Sequence, residues 1–200
     1  MHPNSAFAWT DIPAMRDFIT ETALAHIFAQ TNEGPMVAHA PVIVMESGDL
    51  WFHLSRGNRL TPHLDGLTAL MSLADGSSYV SPDWYAAENQ VPTWLYRAVE
   101  ASGPIRRLSQ EELVEQVDRI SALMEARLLP KPAWTRAKMA PGRFEAMLPG
   151  IVGFEIKVDS LRGTLKFNQH KPAADTAGML AGLRASGRDE IADLAQRYLK

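Results

Sequence analysis

Four polar groups crowd the stretch FHLSRGN, residues 52–58: the His53 imidazole, the Ser55 hydroxyl, the Arg56 guanidinium and the Asn58 amide. Strand alternation puts Phe52, Leu54 and Arg56 on one face and Trp51, His53 and Ser55 on the other. Arginine presents a rigid fork of donors that suits planar oxyanions, phosphate above all, and nearby hydroxyl and amide groups can complete such a cradle. The plainer alternative is a strand end in water, where arginine and asparagine are ordinary. This segment by itself does not separate the two.

A second concentration is aromatic. YVSPDWY and VPTWLY place Tyr79, Trp84, Tyr85, Trp94 and Tyr96 within eighteen residues, with Thr93 beside them. Buried Tyr and Trp need partners for their polar atoms, so a core is more cheaply built from aliphatics. Their concentration near two X-Pro turns points to a wall for a flat ligand or to a subunit interface. A third cluster, KFNQHK at 166–171, sets Lys166, Asn168 and His170 on one face of an expected strand and Phe167 and Gln169 on the other. Lys166 can contact phosphate, or be a solvated lysine in an amphipathic hairpin.

Other chemistries lack their signatures. With no cysteine, disulfides, thiolate metal sites and cysteine nucleophiles are excluded. His39, His53, His63 and His170 show no HxH, HxxxH or HExxH spacing, and no GxSxG, Walker loop or GxGxxG occurs. The formal charge of −3 gives no global drive toward nucleic acid. The local basic features are Arg106-Arg107 and the stretch PKPAWTRAKMAPGR, and neither sits on a recognition-helix pattern. DNA is thus a possible partner that charge does not support. No apolar run is long enough to cross a bilayer, and His2, Pro3, Asp11 and Arg16 precede any sustained apolar run; the expectation is a cytoplasmic protein without membrane contact.

The elements that must position these groups are mostly short strands. Asp11 and Pro13 open a helix with Met15, Phe18, Ile19, Thr22 and Ala23 at helical spacing, extending toward Ile27 until TNEGP. A β-branched strand at 36–46 is interrupted by Pro41, which predicts a bulge or a partial edge there. SGD at 47–49 turns into the strand LWFHLS. Further strands are expected in LDGLTALMSLA, with DGSS as its turn, and at 94–100, with a Gly-Pro turn at 103–104. Ser109 and Glu112 have capping-box spacing and start a helix to residue 129, striped by Leu113, Val117, Ile120, Leu123, Met124 and Leu128. Strand chemistry returns at 151–158 and 165–167, around a turn at 160–163. A helical tail occupies 173–200, with Met179, Leu180 and Leu183, then Ile191, Leu194, Ala195 and Tyr198, facing inward. This pattern reads as a mainly β antiparallel fold with added helices, one domain over 1–200.

With these stretches in view, the sequence resembles the PaiB-type family of FMN-binding negative transcriptional regulators. The resemblance rests on MHPNSAF, HLSRGN, YVSPDWY, VPTWLY and the run from 151 to 183, in that order and spacing. It implies an FMN-binding split β-barrel, a homodimer with FMN at the subunit interface. It also implies His39, His53, Ser55, Arg56, Asn58, Trp84, Tyr85, Thr93, Trp94, Tyr96, Lys166 and Gln169 as cofactor residues, Arg56 being the one for phosphate. Departures occur within the motifs. HLARAN becomes HLSRGN followed by Arg59 in place of proline, THLP becomes AHAP, TWNY becomes TWLY at Leu95, and KLSQNR becomes KFNQHK with Asn168, His170 and Lys171. Leu95 removes one amide, worth roughly 0.5–1.5 kcal/mol if it bonded the ligand.

Three functions fit these expectations: a flavin-binding regulator, a flavin-dependent oxidoreductase of a small substrate, and a ligand-sensing or structural dimer that has lost flavin affinity. No residue presents itself as a catalytic acid or base. Haem on His39, His53 or His170 is a further alternative.

Overall fold

The computed structural model describes residues 2–199. Its elements in chain order are β1 (Ala8–Trp9), α1 (Ile12–Thr22), β2 (Leu24–Thr31), β3 (Gly34–Val44), β4 (Leu50–Ser55), β5 (Thr68–Val80), β6 (Thr93–Arg107), α2 (Gln110–Ala126), α3 (Arg143–Met147), β7 (Ile151–Ile156), β8 (Ser160–Lys166), α4 (Ala173–Ala185) and α5 (Asp189–Gln196). The chain divides into two compact units. One comprises Ile12–Leu73 and Glu100–Leu161; the other comprises the residues up to Asp11, Ala74–Val99 and those from Arg162 onward.

The first unit is a sheet closed on itself. Neighbouring strands run β6, β5, β2, β3, β4, β7, and β7 pairs back with β6. Closure removes the free edges that an open sheet would expose. β2 and β3 pair antiparallel from Leu24↔Pro41 to Thr31↔Gly34, and β4 pairs β7 from Leu50↔Ile156 to Ser55↔Ile151. Pro41 is neither at an edge nor in a bulge. It is the last residue of β3 paired with β2, and pairing with β4 starts one residue later at Val42, so the missing donor falls at the changeover between partners.

The helix expected to run toward Ile27 stops at Thr22, and Ala23 takes φ 54° before a strand begins. Residues 24–31 alternate strictly between exposed and buried, with Ala25, Ile27, Ala29 and Thr31 inside. Pairing with β3 on one side and β5 on the other outweighs the weak helical spacing. The Gly-Pro turn expected at 103–104 is likewise continuous strand. A Cβ at Gly103 would lie 1.7 Å from the Lys157 carbonyl oxygen, so glycine is what lets the reversal at 157–159 approach β6. That reversal hangs on Lys157 N–H to Pro104 O and Asp159 N–H to Ser102 O, which corrects the turn expected at 160–163; β8 already begins at Ser160.

Helix α2 opens as the capping box expected from Ser109 and Glu112, each side chain accepting from the other's backbone N–H. Glu112 also takes a bidentate pair from Arg106, whose Nε donates to Glu155, and Glu155 in turn accepts from Trp51 Nε1 at 2.7 Å. This chain ties the start of α2 to β4, β6 and β7. Beneath the helix, Ile43, Trp51, Leu108 and Ile120 form a buried cluster, with Met45, Leu123 and Met124 packed against it. Leu128 lies past the helix end and is exposed.

In the second unit, β8 pairs β1 through Ala8↔Thr164 and Trp9↔Gly163, and the tail supplies α4 and α5. Their inner faces join Val80, Tyr85, Leu95 and Phe167 in one core, with Met179, Leu180, Leu183, Ala192 and Ala195. The turn expected at DGSS is absent: β5 runs through it, and Gly76 absorbs the bend with φ 62° while Asp75 pairs with Arg97. Helix α4 comes close to the loop after β5, since a Cβ at Gly178 or Gly182 would fall 2.0 Å from the Trp84 carbonyl or 2.3 Å from its ring.

Candidate functional site

The strand β4 delivers Arg56 where its regular pairing ends. Arg56 N–H donates to Gly150 O and its Nε to Pro149 O at 2.5 Å, which leaves the two Nη groups without a partner among the described residues. The loop beyond is shaped by its own polar side chains. Ser55 Oγ accepts from Gly57 N–H and Asn58 Oδ1 from Leu60 N–H, so these two residues hold the turn that carries Arg56. Arg56 and Arg107 line one cavity of about 220 Å³ with Ser109, Gln110, Glu145 and Gly153 among its walls. Two guanidiniums on one small, polar concavity suit a phosphate.

His53 does not share this setting. It projects toward the face that α2 covers and its Nδ1 lies 2.7 Å from Gln116 Oε1. Gln116 is fully buried on α2 and its Nε2 has no hydrogen-bond partner. Sequence reading missed Gln116, although its place three residues after Leu113 and four before Ile120, in line with the apolar stripe, was the available signal. Burial pushes the His53 imidazole below its ordinary 6.5, against the opposing effect of the Gln116 bond, so the ring is held neutral as an Nδ1–H donor. The unfolded chain therefore binds the proton first. Stability from this pair is complete above pH 6.5 and is lost as the pH falls through the lower folded value. Urea midpoints measured on either side of that window are expected to fall with pH in the native protein and to fall less in His53→Gln.

The aromatic cluster divides. Tyr85 is buried and accepts a hydrogen bond at its hydroxyl from Asn168 Nδ2 at 2.8 Å, while Trp84 packs on α4. Burial raises the Tyr85 phenol above its usual value. By contrast Trp94 and Tyr79 are 56% and 41% exposed and meet edge-on at 6.2 Å. Thr93 is half-buried at the start of β6, and Tyr96 lies 5.9 Å from Lys166 Nζ. Trp94 and Tyr79 thus keep much of their ring surface exposed and Tyr96 part of it, while Tyr85 is buried and Trp84 is partly covered by α4.

Strand β8 ends at Lys166, so the expected alternation through His170 does not occur: Asn168 takes φ 60° and turns the chain. Gln169 is consumed there, its Nε2 donating to Ala6 O and Leu165 O and its Oε1 accepting from Phe167 N–H. Leu95 is wholly buried in the same core as Tyr85, so the amide missing at position 95 is replaced by an apolar core residue, and Asn168 brings an amide to that core instead. His39 is exposed on β3 and stacks edge-on with His26 at 4.8 Å. No group of His, Asp and Glu among the described residues could hold a metal ion.

Two of the four basic residues at 131–143 are in ion pairs. Lys131 pairs with Glu125, Arg136 with Asp118 at 3.2 Å, and Lys138 Nζ donates to the Ala133 carbonyl.

A closed antiparallel barrel with a pocket lined by Arg56 and Arg107 and helices added to it has the layout of a split barrel. Two solved structures share the fold: the FAD and haem binding protein of Mycobacterium smegmatis, with TM-score 0.61 and 16% identity over 88% of this chain and 80% of that one, and the flavocytochrome Anf3 of Azotobacter vinelandii, with TM-score 0.63 and 13% identity over 83% and 72%. Residues 1–160 match the family described as "Putative FMN-binding domain", and the chain belongs to it. Its similarity to the Protease synthase and sporulation protein PAI 2 of Bacillus subtilis is 26% identity, over 97% of this chain and 96% of that protein. The family match includes the Arg56 loop and the aromatic cluster; Lys166 and Gln169 lie beyond it. No helix among the described residues is long and apolar enough to cross a membrane.

Proposed function

We propose that this protein is a cytoplasmic FMN-binding homodimer of the regulatory kind. FMN's phosphate rests on Arg56, and a second copy completes the site around the flavin ring. Arg107 assists at the phosphate, while Ser55 and Asn58 shape the loop. When bound, the flavin supplies the redox chemistry, and the side chains bind, orient and shield it. The observation that carries the reading is the pair of Arg56 Nη groups, without a partner among the described residues, inside a segment that matches the family described as "Putative FMN-binding domain".

Size supports the dimer. A cavity of about 220 Å³ is smaller than the few hundred to about 1,000 Å³ usual for cofactor-sized ligands, so a second surface must cover the ring. The outer face of β2, β3 and β5 offers one to a second copy. Phe28 and Val37 are exposed there around a shallow hollow of about 490 Å³ lined also by Pro35 and Leu70. A contiguous apolar patch of this kind in mid-sheet is unusual for a monomer.

Regulation follows from flavin occupancy rather than from strong DNA attraction, in keeping with the formal charge of −3. Sedimentation followed at the flavin's visible absorbance tests the assembly. The flavin is expected to travel with a dimer; flavin travelling with a monomer would overturn the shared site.

A further inference from the structure

Residues 2–7 and 166–170 bring three basic groups around one buried ring. Phe7 is 3% exposed. His2 meets it edge-on at 4.7 Å and His170 at 4.9 Å, and Lys166 Nζ lies 6.0 Å from its centre. Lys166 also lies 5.9 Å from the Tyr96 ring. These ring faces give the ammonium partial electrostatic cover, much less than a carboxylate would.

No ion pair among the described residues involves Lys166, His2 or His170. The neighbouring cations are committed elsewhere. Lys171 Nζ donates to Gln90 Oε1 at 2.5 Å over the Tyr85 ring, and Arg97 is paired with Asp75. His2 Nδ1 accepts from Asn4 N–H, which leaves its Nε2–H as a free donor. The mutual effects are repulsive: burial lowers Lys166, and burial together with Lys171, Lys166 and His2 lowers His170. Basic groups gathered without a counter-charge are stabilised by an anion placed among them.

We infer that His2, Lys166 and His170 form an oxyanion site, floored by Phe7, for the phosphate or carboxylate of a small ligand. Two sources carry that chemistry. One is FMN's own phosphate, taken up here rather than at Arg56, in which case the inference rests on the FMN-binding reading above and relocates the phosphate. The other is a separate acidic ligand bound beside the flavin.

The test is a pH titration of the histidine ring resonances in the full chain, with and without inorganic phosphate and with no FMN added. His26 and His39 lie in the other unit and serve as internal references. Phosphate is expected to move the His170 midpoint upward by about half to one pH unit, to shift His2 as well, and to leave His26 and His39 in place. Lys166→Met should remove the response. Shifts at His2 and His170 no larger than those at His26 and His39 would overturn the site, whether or not FMN binds. Repeating the titration with FMN and with riboflavin separates the sources. Loss of the phosphate response with FMN alone assigns the site to the flavin's phosphate; its persistence with both assigns it to a second ligand.

Discussion

Asn168→Ala is expected to cost about 2–5 kcal/mol of stability. Two separable effects contribute. At φ 60° a residue with a Cβ and no polar side chain pays about 1–2 kcal/mol that asparagine and glycine largely avoid. Removing the amide also leaves the buried Tyr85 hydroxyl without its donor, at about 1–3 kcal/mol. Asn168→Gly keeps the backbone and loses only the bond, so it should fall between wild type and alanine. Tyr85→Phe removes the hydroxyl, after which Asn168 Nδ2 retains only Met179 Sδ at 3.3 Å. Urea denaturation of the three variants resolves the terms. Equal stability of the glycine and alanine variants would mean the left-handed backbone contributes nothing.

Arg56→Ala should weaken FMN about ten- to 150-fold, the equivalent of a charge-assisted hydrogen bond of about 1.5–3 kcal/mol. Riboflavin affinity should be unchanged, because that ligand lacks the phosphate. Arg56→Lys keeps the charge but loses the fork, and an intermediate loss is expected. Loss of the Nε bond to Pro149 O affects the loop rather than the core, so the fold should persist. If FMN and riboflavin weaken alike, Arg56 supports the loop and does not hold phosphate. Fluorescence titration with the two ligands reads the difference directly.

Much of this architecture was legible where local chemistry and packing agree. Ser109 and Glu112 announce α2 because a capping box satisfies its own amides, and the spacing of Met179, Leu180 and Leu183 announces α4 because that face is buried. The strand ending at Ser55 followed from alternation. Failures occurred where a distant partner decides. Residues 24–31 become a strand only because β3 and β5 pair with them, and Gly103 stays extended only because Lys157 comes to meet it.

The site shows the same division. Arg56 stands out in sequence by its type and its position at a strand end, and the structure leaves its Nη groups without a partner among the described residues. His53, three residues earlier and inside β4, looks equally chemical in sequence, yet α2 covers it and Gln116 takes its proton donor. Trp84 and Tyr85 could not be told from Trp94 by type, since what separates them is α4, almost a hundred residues onward. Leu95 read as a lost ligand contact; its complete burial makes it part of the core that Asn168 now supplies with an amide.

The central claim is that this particular chain holds FMN. Its direct test is the visible spectrum of the purified protein titrated with FMN and then passed through gel filtration. The account predicts a perturbed flavin band that saturates at one FMN per chain and co-elutes with the protein. A flavin band identical to that of free FMN, eluting apart from the protein, would contradict it, as would a haem band that FMN leaves unchanged.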